Sequence, residues 1–504
     1  MNTRTRNLIF IGIFVVCLAA VALLLVLTQP KAEEEEEEVA ADTTITVLSN
    51  SRDDVESMLV KNENGEYTIY QNSKGFYVEE LGDLKQNTTT LSAMANCATS
   101  ITAQSLVEAD AADLDKYGLS EDDPEASCTV TLKNGDSYTI LYGIQAPDDR
   151  CVYFRLADSN DVYIVLTNSS NYFYNPARSY VSLIVKEALA NDNVAPTIDL
   201  LTITRKDLDY DVVFEDDTKN YASDEVSMAS SQVMISPVYA YLDIVNSNDI
   251  IYGIWGLTAS EAVVPFPTEE DFEEYGLDDP FCTVTMNAEL RTYTLKIGDV
   301  ASYTYDEEGN ETTEPAYFYG YFEGIDVIYM FSAGEVPWAT FMPIDILSSM
   351  MTSNYILRLD YMDIQTHNGE DIDYYFDVTG DVDTSELSAT LNGSPVDTET
   401  FKVLYQFILK CPIDALCFDE PAEDAKLLCY IDFRRDDGGG DILEFYDGGS
   451  NRVIIKLNGV TSYSQPNTYL ALLASTLELF ANGASSDELH MIWKQTKAKP
   501  TAHP

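Results

Sequence analysis

The sequence predicts an α+β protein: an N-terminal transmembrane helix followed by three tandem repeats of antiparallel sheet plus helix. Three observations predict it. Leu8 to Leu27 is an unbroken apolar run of 20 residues, the length that spans a bilayer core of ~30 Å. The stretch DAADLDKYGLSEDDPEASCTVT at 110–131 returns as TEEDFEEYGLDDPFCTVT at 268–285, and repetition over such a period marks tandem units. Around each copy, short alternating strand patterns surround one apolar stretch long enough for a helix.

The N-terminus reads as an anchor. Arg4 and Arg6 precede the apolar run, so the positive-inside rule keeps that end cytoplasmic and sends the bulk of the chain outside. The expected localisation is therefore a single-pass protein of the cell membrane. A cleaved signal peptide would have an apolar region of only ~7–15 residues followed by a small-residue site. Six consecutive glutamates, Glu33 to Glu38, follow and read as a solvated tether. The organisation expected is 1–29 anchor, 30–45 tether, 46–195 first repeat, 196–350 second, 351–482 third, and a polar tail at 483–504.

Each Tyr-Gly-Leu copy reads as a helix stop before a strand. Asp110 and Thr268 are N-cap types, with Asp113 and Asp271 three residues on as in a capping box. Gly118 and Gly276 stand where a left-handed C-cap is wanted, and Leu119 and Leu277 where its hydrophobic contact falls. Pro124 and Pro280 prevent the helix from resuming. Tyr117 and Tyr275 share a helix face with Leu114 and Phe272. This reading accounts for every repeated residue structurally.

The remaining elements follow from local chemistry. Asn64-Gly65 and Asn134-Gly135 mark hairpin turns. Helices are expected over 88–106, over 230–245, from Asp397 to Leu409 and from Tyr469 to Phe480. Tyr153 is expected to correspond to Tyr317 in the second repeat. The third repeat has strands at 355–365, 372–378, 427–434, 442–446 and 453–457, with Pro421 but no Tyr-Gly-Leu stop. The tail after Ala481 reads as polar and frayed.

With 29 basic against 85 acidic residues the net charge is −56, and phosphate backbones require the opposite sign, which excludes nucleic acid as a partner. Asp377, Asp381, Asp383 and the 436–441 stretch come nearest to a calcium loop, and read as turns. No cofactor or metal site is expected. Seven cysteines lie beyond the apolar run, an odd number without framework spacing. Cys128, Cys282 and Cys429 sit in strand patterns as small hydrophobes. Of the three histidines, His367 falls in a turn and His490 and His503 in the tail. No nucleophile elbow, P-loop or HExxH accompanies them, so no catalytic residue is expected. Trp255, Trp338 and Trp493 could line a sugar- or peptide-binding face, core packing being the commoner use of such rings.

The repeated Tyr117-Gly118-Leu119, Pro124 and Thr129-Val130-Thr131, with Tyr275-Gly276-Leu277, Pro280 and Thr283-Val284-Thr285, resemble the family called domain of unknown function 4340. The resemblance extends over about 50–460, and the third repeat departs from it. It implies a bacterial envelope role beside ABC-type transporter components and supplies no catalytic residues. The leading expectation is a non-enzymatic accessory or partner-binding subunit of an ABC-type transport system, touching an ABC permease. A cell-surface ligand-binding or adhesion module is the alternative, and a carboxylate-dependent hydrolase the third reading.

Overall fold

The computed structural model describes residues 44–120, 124–147, 149–190, 196–217, 230–367 and 371–496. Among the described residues strand accounts for 44% against 20% helix, in four sheets. The expected class is thereby corrected to a mostly antiparallel β architecture. Its second expected helix, 230–245, is instead a pair of strands with Pro237 between them. Proline cannot donate within a helix, and the flanking Val-Met-Ile and Val-Tyr-Ala-Tyr runs are strand formers.

The transmembrane part of that class is corrected as well. Among the described residues no helix is long and apolar enough to cross a membrane. The longest of them, Thr468–Ala481, has 14 residues, about 21 Å at 1.5 Å per residue. The span expected at Leu8 to Leu27 and the glutamate tether lie outside the described residues. The single-pass localisation drawn from that span is therefore withdrawn.

A two-stranded ribbon pairs β1 (Ile45–Ser49) with β5 (Ser100–Ala103). The first large sheet contains β2 (Val55–Asn62), β3 (Gly65–Asn72), β4 (Gly75–Val78), β6 (Ser105–Glu108), β7 (Ala126–Leu132), β8 (Ser137–Gln145), β9 (Cys151–Leu156) and β10 (Val162–Leu166). Its order is β4-β3-β2-β7-β8-β9-β10-β6. The second contains β11 (Ile198–Arg205), β12 (Val212–Asp216), β13 (Gln232–Ser236), β14 (Ala240–Tyr241), β15 (Glu261–Pro265), β16 (Cys282–Ala288), β17 (Arg291–Tyr305), β18 (Glu311–Phe322) and β19 (Val327–Ser332). Its order is β14-β13-β12-β11-β16-β17-β18-β19-β15. The third contains β20 (Leu359–Thr366), β21 (Ile372–Asp381), β22 (Glu386–Leu391), β23 (Ser394–Pro395), β24 (Ala415–Leu416), β25 (Leu427–Arg435), β26 (Gly440–Asp447), β27 (Arg452–Leu457) and β28 (Val460–Pro466). Its order is β23-β22-β21-β20-β25-β26-β27-β28-β24. All three follow one plan. An opening run of strands joins through its first strand to a four-stranded meander, and a short strand from the crossover closes the far edge.

The chain divides into two compact units. Of the described residues, the first holds those within 44–56, 60–63 and 94–174. Along β7 the side chains alternate strictly between buried and half-buried, as period-2 geometry requires of a sheet with one covered face. Cys128 and Val130 point inward with Ile140 and Phe154.

The second unit holds the described residues within 57–59, 64–93 and 175–496. Trp338 is fully buried there, and its indole N–H donates to the Ile250 carbonyl at 2.8 Å. In the third repeat the helix Thr398–Leu409 starts at Asp397, whose carboxylate accepts from the Thr400 N–H at 2.9 Å. Phe401 from this helix and Phe480 from Thr468–Ala481 meet Phe376 of β21. The tail is a further helix, Ser486–Thr496, with Leu489 buried, where a frayed end was expected.

Within this unit Asp441 is fully buried. Its Oδ1 accepts from the Tyr241 hydroxyl at 2.6 Å and the Asn458 amide at 2.9 Å. Its Oδ2 accepts from the Asn354 amide at 2.9 Å and the Ser353 N–H at 3.3 Å. Burial raises its carboxyl above the usual range despite these donors. A carboxyl whose folded pKa exceeds its unfolded one adds stability at pH values below the unfolded pKa, and that stability is lost as pH rises through the folded pKa. The stability advantage of the native chain over Asp441→Asn, measured by urea unfolding, is therefore expected to shrink as pH rises from about 4. An advantage that grows with pH would contradict this.

Candidate functional site

The Tyr-Gly-Leu stops adopt the expected turn, with one difference. In the second copy the helix Glu269–Glu274 begins at a full capping box between Thr268 and Asp271. The Thr268 hydroxyl and N–H hold the Asp271 carboxyl below its usual range. In the first copy the helix shrinks to a single turn, Asp115–Tyr117. Asp110 does not cap it; its backbone is left-handed and its N–H donates to Asp161 at 2.9 Å. Gly118 and Gly276 have φ of 67° and 66°, the conformation glycine adopts without Cβ strain. Leu119 and Leu277 are fully buried. Leu119 packs with Ala111, Leu141 and Val162. Pro124 and Pro280 lie just ahead of β7 and β16.

Sequence reading missed what the turns rest on. A Cβ on Gly143 of β8 would overlap the Tyr117 carbonyl oxygen, and one on Gly298 of β17 the Tyr275 carbonyl oxygen. The pair of glycines at matching strand positions was the available signal. Tyr117 lies 4.8 Å from Tyr153 between ring centroids, and Tyr275 lies 4.7 Å from Tyr319. The structural counterpart of Tyr153 is thus Tyr319, where Tyr317 was expected.

The second missed residue is Arg155, which is 1% exposed. Its Nε donates to the Leu119 carbonyl at 3.2 Å. Its Nη1 donates to the carbonyls of Leu156, Ala157 and Ser159 at 3.1–3.3 Å. A planar guanidinium can serve several carbonyls at once, so Arg155 ties the first turn to the β9–β10 connection.

Beside this turn is a cleft of about 340 Å³ lined by Glu125, Gly143, Ile144, Gln145, Val152, Thr167, Asn171 and Tyr174. The Tyr174 hydroxyl donates to the Gly143 carbonyl at 2.7 Å. Burial, then the Glu125 carboxylate, pushes the Tyr174 phenol well above its ordinary value, so it stays a neutral donor. Gln145 reaches the Asp149 carbonyl at 2.9 Å. The Thr167 hydroxyl oxygen is buried without a hydrogen-bond partner among the described residues. Ile144 is 43% exposed. One carboxylate, two amides, two hydroxyls and an apolar wall suit binding a small polar or cationic group. Among the described residues the lining holds no histidine, cysteine or second carboxylate.

Chemistry elsewhere is similarly placed. Cys128, Cys282 and Cys429 are buried, and burial pushes each thiol up to about 12, far from the thiolate that attacks or ligates. Among the described residues no two cysteines form a disulfide. The His367 Nδ1 meets the Asp371 carboxylate at 2.9 Å in a surface pair. Trp255 packs tilted beside Tyr252 and edge-on to Tyr293; His503 and the Trp493 side chain lie outside what is described. Asp381 accepts two backbone N–H groups of its own turn, from Asp383 and Thr384. Asp436 pairs with Arg358 at 3.0 Å and Asp437 with Arg435 at 3.2 Å. Among the described residues no group of three or more His, Cys, Asp or Glu could hold a metal.

Arg155→Met is expected to lower the unfolding free energy by roughly 3 kcal/mol, since it strips a charged donor from buried carbonyls. Arg155→Lys should recover only part, because one ammonium cannot reach all four. Thermal and urea denaturation of the three chains check this; equal stabilities would refute it.

The family described as domain of unknown function (DUF4340) matches residues 77–195. That segment includes the first Tyr-Gly-Leu stop, Arg155 and the whole cleft. No curated protein matches the chain, and no solved structure does. Over 77–195 the chain is similar to this family of unknown function.

Proposed function

We propose that the chain is a non-enzymatic binding protein and that the cleft beside Tyr117-Gly118-Leu119 holds part of its partner. The observation that carries this is the lining, which offers hydrogen-bonding groups, one carboxylate and the exposed Ile144, with no nucleophile and base to do covalent work. Resemblance to the domain-of-unknown-function family makes the permease and ATPase subunits of an ABC-type transport complex the partner class. A hydrolase using two carboxylates would need a pair within one cleft, and among the described residues this lining supplies Glu125 alone.

A second reading, a module for a small surface ligand, is favoured by the cleft volume, which falls in the range of small-molecule sites. A photo-crosslinking amino acid at position 144, with one at the fully exposed Leu290 as control, separates the two. The partner-binding reading predicts permease or ATPase subunits attached at 144 above the level at 290. Equal labelling at both positions would contradict it and leave the small-ligand reading to calorimetry.

A further inference from the structure

The second repeat carries an arm that the other two lack. β17 and β18 have 15 and 12 residues. Their counterparts β8 and β9 have nine and six, and β26 and β27 eight and six. The ladder of β17 with β16 ends at Ile297, and that of β18 with β19 ends at Tyr317. Beyond those points, among the described residues, the two strands pair only with each other, at Ser302↔Tyr317, Tyr303↔Pro315 and Tyr305↔Glu311.

Isolated two-stranded ribbons are marginal in water, and this one is reinforced at its tip. Asp306 Oδ1 accepts the N–H groups of Glu308 and Asn310 at 2.9 and 2.8 Å. Thr304 and Thr312 join hydroxyls across the strands. The reinforcement holds out two tyrosines of β17, one on each side of an irregularity in the ladder. Tyr303 is 36% exposed and Tyr305 66%.

The chemistry around these rings has one sign. Asp299, Asp306, Glu307, Glu308, Glu311 and Glu314 lie between Gly298 and Phe322, with no lysine or arginine among them. Elsewhere the chain sets its own cations over tyrosine faces: Lys186 lies 4.4 Å from the Tyr293 centroid and Lys116 4.7 Å from that of Tyr117. Among the described residues no cation stands over Tyr303 or Tyr305. A second copy of this chain is disfavoured as occupant, because each carries a net charge of −56 and like fields repel.

We propose that the arm docks an arginine- and lysine-rich segment of a partner protein. The tyrosine faces receive the guanidinium or ammonium groups, and the acidic tip steers and flanks them. The proposal does not depend on the cleft, and either can fail alone.

The test titrates the full chain into a fluorescently labelled (Arg-Lys-Gly)₃ peptide at about 0.15 M salt, read by anisotropy. The double variant Tyr303→Ala/Tyr305→Ala keeps the charge and removes both rings. It is expected to weaken binding on the order of tenfold, with an unchanged thermal midpoint. Tyr303→Phe/Tyr305→Phe should bind like the native chain, because the ring faces remain. Native-strength binding by the alanine variant would show that overall acidity alone attracts the peptide and would overturn the proposal. Absence of saturable binding to the native chain would overturn it too.

Discussion

The contact on which the repeated motif depends is a backbone one. The Tyr117 carbonyl presses on β8 where Gly143 has no side chain, and the Tyr275 carbonyl presses on β17 at Gly298. Each contact seats a left-handed Gly turn against the second strand of the meander, and each turn delivers a leucine to the interior. A methyl group at either glycine would displace main chain, which cannot yield as a flexible side chain can. The cleft in the first unit follows from this seating, since Gly143 and Ile144 form part of its wall.

The two copies then diverge in what stands beside the turn. Next to Gly118 it is Ile144, and next to Gly276 it is the Asp299 carboxylate. The same backbone device therefore presents an apolar, partly exposed side chain in one repeat and a charged one in the other. The third sheet keeps the shared strand order without the device. Its crossover, 410–426, contains no glycine. Within β26, at its hairpin end opposite Phe433, Asp441 draws donors from Tyr241, Ser353, Asn354 and Asn458. Buried networks of this kind hold together only when nearly every member is satisfied.

Local chemistry made much of the sheet content legible. Asn134-Gly135 closed the β7–β8 hairpin as expected, and the Asp397 to Leu409 helix appeared within one residue. Failures came where the deciding interaction was distant in sequence. Arg155 and Asp441 are charged residues that a local reading leaves outside, and their burial depends on carbonyls, amides and a tyrosine hydroxyl up to 200 positions away. Matching Cys128 to Cys282 was misleading for a geometric reason. Ala126 lies opposite Tyr142, one residue before Gly143, and Cys282 lies opposite Ile297, one residue before Gly298. The copies are thus slipped by two residues between turn and strand, and a slip of two leaves every side chain on its own face. The alternation pattern cannot register such a slip. The cleft was illegible for a similar reason, because its lining comes from separated turns and strand ends with no shared spacing.

Hydrogen exchange on Gly143→Ala tests the central claim most directly, read by mass spectrometry against the native chain. If the Tyr-Gly turn is seated on β8 by the absent side chain, protection should fall at 114–119 and 143–152 while β7 keeps its own. Unchanged protection in both segments would mean that the glycine contact does not hold the turn, and the account of the cleft built on it would be wrong.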